Sequence, residues 1–220
     1  VVTRAIIAAA GSEERWGNHL GVPKQLIPID GETLLDRIIR LLHREGIRDI
    51  VISGAFRVEG CRTVIPEWDI DPVDGRLGVR GLWNDAGRTI ILMGDVWYSD
   101  AAMQTIGSHV WRDRHLFARF GPSKRTGKPW AEIFANSFWP EHHADHEASL
   151  RAVNALHEAG HIPRGGLWES YLLDHGAVVT GMMDADGGCV RNMGDATVID
   201  DMTDDFDYPA DYDRWVSARG

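Results

Sequence analysis

Thr3-Arg4-Ala5-Ile6-Ile7-Ala8-Ala9-Ala10-Gly11 opens the chain with a short apolar run that a glycine stops. That pattern predicts a buried strand over Thr3 to Ala10. A polar, glycine-bearing stretch from Gly11 to Lys24 follows, too long and irregular for a simple connection. After Gln25 to Ile29, the residues Leu34, Leu35, Ile38, Ile39, Leu41 and Leu42 recur at helical spacing. Thr33 with Asp36 resembles a capping box, and Gly46 ends the helix. Ile47 to Ser53 predicts a second strand. Strand, loop, helix and strand in that order form a βαβ unit, which implies a parallel sheet with right-handed crossovers.

Working outward, residues 55–74 read as irregular and Gly75 to Gly87 as helical in part. Thr89 to Gly94 predicts a third strand, ending at Asp95. Ala101 to Val110 reads as a helix that Asp100 caps. Strands follow at Leu116 to Phe120 and Ile133 to Phe138. His143 to Ala159 is predicted helical, with Leu150, Val153 and Leu156 on its buried stripe. A short helix at Leu167 to Leu173, strands near Val178 and Val190, and a terminal helix after Pro209 complete the pass. No internal repeat or linker interrupts it, so residues 1–220 read as one α/β domain.

Composition narrows the class. The chain has 220 residues, of which 44% are hydrophobic and 25% charged, an ordinary globular balance. Its longest clean apolar run, Ala5 to Ala10, falls far short of the ~20 residues of a membrane span. Two cysteines, Cys61 and Cys189, make no disulfide framework and no C-x-x-C, so a reduced, cytoplasmic setting is expected. A net charge of −10 opposes a long nucleic acid as partner. That charge is concentrated: Asp184 to Asp213 holds ten aspartates and a single basic residue, Arg191. A solvated acidic tail is the plain reading, but strand-like and aromatic residues in it make the segment a candidate cation site.

The candidate chemistry sits after the first strand, where open α/β sheets bind ligands. The small residues Ala8, Ala9, Ala10, Gly11 and Ser12 let a nucleotide lie against backbone, and loop N–H groups can hold phosphate oxygens. Arg15 and Lys24 add a planar fork and a point charge, suited to a polyphosphate. The chain has three lysines against twenty arginines, so a lysine here is not background. Asp95, at the end of an apolar strand, is well placed for Mg²⁺.

A first strand ending Ala-Ala-Gly, Arg15 four residues after Gly11, then Pro23-Lys24, resembles the nucleotidyltransferase superfamily. So do Leu92-Met93-Gly94-Asp95 and the closing Asp205-Phe206-Asp207-Tyr208-Pro209-Ala210-Asp211-Tyr212. This is the superfamily of sugar-phosphate nucleotidylyltransferases, cytidylyltransferases and molybdenum-cofactor guanylyltransferases. The resemblance implies a Rossmann-like mixed, mostly parallel sheet with helices on both faces, of the glycosyltransferase-A type. It implies nucleotidyl transfer from a nucleoside triphosphate to a phosphorylated small molecule, a sugar phosphate first and an alcohol phosphate such as phosphocholine next. Arg15 and Lys24 would be the catalytic cations, and Mg²⁺ would sit on Asp95 and Asp207, with Asp205 the alternative. No membrane partner is implied, and self-association is left open.

Glu13 stands where that superfamily often has a second glycine, so its carboxylate would repel the triphosphate unless it turns outward or meets a metal. In an extended segment Asp205 and Asp207 face one side with Phe206 opposite. Asp211 and Asp213 then read as dipole-complementing or solvated charges of the terminal helix, and Asp204 as a cap. Two other readings are weighed. A metal-dependent glycosyltransferase would carry a D-x-D that Asp95-Val96-Trp97 does not match, and a silent nucleotide-binding protein would bind without turnover.

Other motifs read as decoys. His157-Glu158-Ala159-Gly160-His161 is a literal H-E-x-x-H, but Gly160 and Pro163 predict that His161 falls past the helix end. His142, His143 and His146 read as a solvated helix entry or a surface metal site. Trp16, Trp97, Trp130, Trp139 and Trp168 lie near motif loops or turns, where aromatic faces could stack on a substrate. Gly75 to Gly81 is the segment expected near the base.

Overall fold

The structure is a computed structural model and describes residues 2–11, 13–66, 79–162, 169–170, 173 and 196–218. In chain order its strands are β1 (Thr3–Ala8), β2 (Pro28–Ile29), β3 (Glu32–Thr33), β4 (Asp49–Ser53), β5 (Arg62–Val64) and β6 (Arg88–Met93). Then follow β7 (Val96–Trp97), β8 (His115–Arg119), β9 (Glu132–Phe138), β10 (Ala196–Val198) and β11 (Asp204–Asp205). The helices are α1 (Leu34–Arg44), α2 (Asp100–Ser108), α3 (His143–Glu158) and α4 (Pro209–Ser217).

Seven strands form one sheet in the order β10-β8-β9-β6-β1-β4-β5. Only β9 runs antiparallel to its neighbours, β6 and β8; every other pairing is parallel. Alternation along β1 divides the core. Ala5 and Ile7 face α1 and α2, through Leu35, Ile38, Leu42, Met103 and Ile106. Ile6 faces the other way, onto Phe138, Trp83 and Leu150 of α3. Both faces are therefore covered by helices, and β1 is apolar throughout its middle for that reason. Burying each isoleucine of β1 contributes about 1.5–3 kcal/mol.

Local chemistry places the ends. Thr33 caps α1, its hydroxyl accepting from the Asp36 amide at 3.1 Å, as the capping pattern predicts. The cap of α2 is Ser99 and not Asp100: the Ser99 hydroxyl accepts from Ala102 N at 2.9 Å. Asp100 instead pairs with Arg37 and Arg44 of α1. Two elements escape the sequence reading. Residues 62–64, within a stretch read as irregular, form the edge strand β5. β2 and β3 form a hairpin around Asp30 (φ 56°) and Gly31 (φ 86°), an Asp-Gly pair whose positive φ values suit a tight turn.

The terminal helix after Pro209 is present, with Pro209 in its first turn. α3 ends at Glu158 with Gly160 at φ 74°, so His161 lies beyond the helix and off the register a zinc motif requires. His143 and His146 are not a solvated entry. They are buried against Trp83 and Phe138, with ring centroids 4.5–5.7 Å apart. Most of the predicted helix at 167–173, and the strands near Val178 and Val190, lie outside the described residues, as do Ser12 and residues 75–78.

Candidate active site

The site forms where β1, β4 and β6 end. Ala9 N donates to Ser53 O at 2.8 Å, and Gly94 N to Ala8 O at 2.9 Å. The glycines on either side allow this approach: a Cβ on Gly54 would stand 2.7 Å from Ala9 O, and one on Gly94 2.7 Å from Ala8 O. Ala8, Ala9 and Ala10 thus present a floor of small side chains and backbone. Gly11, which follows, is exposed with nothing within 4 Å of its missing side chain.

The next loop is wound by left-handed residues at Gly17, Asn18, Leu20 and Gly21. Trp16 pins it. Its ring is buried with Ile27, Leu34 and Phe206, and its Nε1 donates to Val22 O at 2.8 Å. That anchor leaves Arg15 projecting half-exposed, with one nitrogen 2.7 Å from Asp207 Oδ2 and its guanidinium over the Tyr208 ring at 5.5 Å. Glu13 turns back onto the end of its own loop. Its Oε2 accepts from the Lys24 backbone N–H at 3.1 Å, which fixes the start of the Lys24–Leu26 turn.

Lys24 is buried, and its ammonium lies between two carboxylates. It is in contact with Asp95 Oδ2 and 3.7 Å from Asp207 Oδ1. Burial works to lower its pKa, but Asp95 and Asp207 overcome that and hold it above the ordinary lysine value, so it is charged. Asp207 reaches this place through β11. That strand pairs antiparallel with β7, setting Asp204 opposite Trp97 and Asp205 opposite Val96, and Phe206 N donates to Asp95 O at 3.0 Å. The acidic C-terminal segment is therefore stitched alongside Asp95 by backbone bonds. Phe206 turns into the core, while Asp205 and Asp207 share the opposite side.

Behind them lies a buried ionic cluster. Lys128 Nζ stands 2.6 Å from Asp205 Oδ1 and 3.5 Å from Asp211 Oδ2. Arg119 donates to Asp204 at 2.9 Å, and the hydroxyls of Ser123 and Thr126 reach the other Asp204 oxygen. Asp204 is thus no exposed cap, and Asp211 is not solvated. Asp211 is fully buried, accepting from the amides of Asp207 at 3.0 Å and Tyr208 at 2.9 Å, and so closes the first turn of α4. Burial, with Asp204 and Asp207 adding to it, pushes Asp205 up to about 7 against the pull of Lys128. Burial likewise holds Glu132, at the start of β9, well above the usual carboxyl range.

Sequence reasoning missed Glu132 and Lys128, which come from a loop and strand that carry no motif. Glu132, Asp205 and Asp207 each offer an oxygen, all within 4.8 Å of one another. The predicted residues Arg15, Lys24, Asp95 and Asp207 meet at one point, and Asp205 stands just behind, its oxygen on Lys128. Among the described residues, Trp16, Trp97 and Trp139 are taken up by packing and offer no open stacking face here. Trp16 and Trp139 are buried, and Trp97 packs against the Arg37 guanidinium and the Trp215 ring. Trp130 is partly exposed, and Trp168 lies outside the described residues.

Three solved structures share the fold across nearly the whole length. Rv0371c of Mycobacterium tuberculosis superposes with a TM-score of 0.58 at 14% identity, covering 99% of this chain and 98% of that one. The CTP:phosphocholine cytidylyltransferase of Streptococcus pneumoniae gives 0.53 at 14% identity, covering 100% of each chain. The inositol-1-phosphate CTP transferase of T. maritima gives 0.52 at 15% identity, covering 98% and 96%. Among curated sequences, a 2-C-methyl-D-erythritol 4-phosphate cytidylyltransferase of Saccharopolyspora erythraea is 45% identical over 51 residues. That match spans 23% of this chain and only 22% of the relative's length. Residues 5–160, from β1 through α3, match the MobA-like NTP transferase domain, and the chain belongs to that family.

Proposed function

We propose that the chain transfers a nucleoside monophosphate from a nucleoside triphosphate to a phosphorylated small molecule, releasing pyrophosphate. The observation that carries this reading is the Lys24 ammonium held between Asp95 and Asp207 at the ends of β1 and β6, with Arg15 beside it. The backbone from Ala8 to Gly11, with Ser12, takes the nucleotide. Arg15 and Lys24 hold the triphosphate and stabilise the charge that gathers on the leaving group. An oxygen of the acceptor phosphate attacks the α-phosphorus. The bond from that phosphorus to the bridging oxygen breaks, and pyrophosphate leaves with the electron pair. No general base is needed, because a phosphate monoester, with its second pKa at about 6, is already an anion near neutrality.

Asp95 and Asp207 fit a hard divalent cation such as Mg²⁺, since two carboxylates already converge on one cationic centre. When bound there, the ion would supply charge neutralisation between the two reacting phosphates. Asp207 is the better ligand of the acidic pair, because Asp205 commits its oxygen to Lys128.

A sugar phosphate is our first choice of acceptor and an alcohol phosphate the second. The named substrates of the phosphocholine and inositol phosphate enzymes support that range. Among the described residues no helix is long and apolar enough to cross a membrane, and we place the reaction in the cytoplasm. The test is pyrophosphate release across the four nucleoside triphosphates against a panel of sugar and alcohol phosphates. One pair should stand well above the rest and require Mg²⁺. Nucleotide binding without pyrophosphate release from any pair would overturn the reading.

A further inference from the structure

Residues 109–115, His-Val-Trp-Arg-Asp-Arg-His, join α2 to β8. They stand at the opposite end of the sheet from the site above. His115 is level with Ser137 on β9, which is level with Ile90 on β6. Asp95 lies five residues beyond Ile90, about 16 Å along the strand direction. Whatever this loop does, it does not share the groups around Lys24.

Two imidazoles and a carboxylate converge here. His109 Nε2 is 3.0 Å from Asp113 Oδ1, and His115 Nδ1 is 3.1 Å from Asp113 Oδ2. The two rings are tilted by 31° with centroids 4.0 Å apart, so their nitrogens address the same carboxylate from one side. Bonds of 2.0–2.1 Å to a tetrahedral ion set neighbouring donor atoms about 3.3 Å apart. Each imidazole nitrogen stands close to that distance from its own oxygen of Asp113, and one donor atom from each of the three residues lies within 4.8 Å of the others. The outer shell is also built: the second nitrogen of His115, Nε2, lies 2.8 Å from Thr197 Oγ1 of β10. A fixed partner of this kind orients a ligating ring. The side chains of His115 and His109 are 7% and 11% exposed and that of Asp113 28%, so the cluster is walled by the rings and opens over the carboxylate. A water would enter as fourth ligand from that side. Nearby Arg88 directs its guanidinium to the carbonyls of Ile106 and Gly107, which anchors the end of α2 behind His109.

We propose that His109, Asp113 and His115 form a structural site for a divalent transition-metal ion of the zinc type, separate from the nucleotidyl-transfer site. Two imidazoles with one carboxylate suit that class and disfavour Mg²⁺. The bound ion would tie the end of α2 to β8 and, through Thr197, to β10 at the sheet edge.

The test titrates the metal-stripped full chain with Co²⁺ and follows visible absorption, then displaces it with Zn²⁺ and records thermal melting. The wild type should take up one tetrahedral Co²⁺, lose the band to Zn²⁺, and melt higher with zinc. H109Q and D113N should lose both signals while keeping the far-ultraviolet dichroism of the wild type. Thr197→Val should weaken binding about 10-fold, as loss of an outer-shell partner does. The double variant Asp95→Asn/Asp207→Asn should keep the band. A wild type with no band and no melting shift at stoichiometric metal would overturn the proposal. So would a band that survives both H109Q and D113N.

Discussion

Lys24 carries more of the local argument than any other side chain, because it is a buried cation that two carboxylates keep charged. Replacing Lys24 or Arg15 by alanine is expected to lower turnover about 10²-fold or more, since each stabilises transition-state charge. Lys24→Arg should restore only part of it, because a planar fork does not fit where a point charge sits. Wild-type kcat in both alanine variants would remove the basis of the assignment. The glycines give a contrast that separates folding from binding. Gly94→Ala would push a Cβ to 2.7 Å from the Ala8 carbonyl, which is backbone and cannot swing away. It should destabilise the fold by about 1–3 kcal/mol in a urea melt. Gly11→Ala meets nothing within 4 Å, so its melt should match the wild type while KM for the nucleotide rises. Both basic residues were legible from their spacing after the first strand. The use of Glu13 was not, because the amide it accepts from belongs to a residue eleven positions away.

At the scale of elements, β11 and α4 show what a short motif can and cannot say. Alternation placed Asp205 and Asp207 on one side and Phe206 on the other, and the structure has that arrangement. It could not say that Asp211 reaches back to the amides of Asp207 and Tyr208, since that depends on where the helix enters. Asp211→Ala should therefore cost more than an exposed cap: about 2 kcal/mol of stability, with Lys128 losing a partner as well. It should also lower kcat, because the Asp207 backbone is freed. Asp211→Asn, which keeps an acceptor, should recover most of the stability; an Asp211→Ala chain with unchanged melt and kcat would refute the linkage. On α2, Ser99→Ala is expected to cost about 1 kcal/mol. Asp100→Ala should cost less, because its ion pairs to Arg37 and Arg44 involve a half-exposed carboxylate.

For the whole molecule, the first βαβ unit and β6 were readable because their residues are near in sequence and their periods are clean. β9 was readable as a strand over Ile133 to Phe138, but its antiparallel direction and the use of Glu132 were not, since strand direction is decided by pairing partners far along the chain. That strand completes a buried cluster in which Asp204, Asp205, Asp211 and Glu132 meet Lys128 and Arg119. Negative charge is in surplus there. Burial holds Glu132 well above its usual range and Asp205 at about 7, so the folded chain keeps a proton that the unfolded chain releases. A carboxyl raised on folding adds stability that is complete below its unfolded value and is lost as pH rises through the folded one. Glu132→Gln replaces the protonated carboxyl by a neutral amide and removes that loss. In EDTA, the Tm of Glu132→Gln relative to wild type should therefore rise as pH goes from about 6 to about 8. Parallel Tm curves over that range would mean that the cluster binds no extra proton on folding.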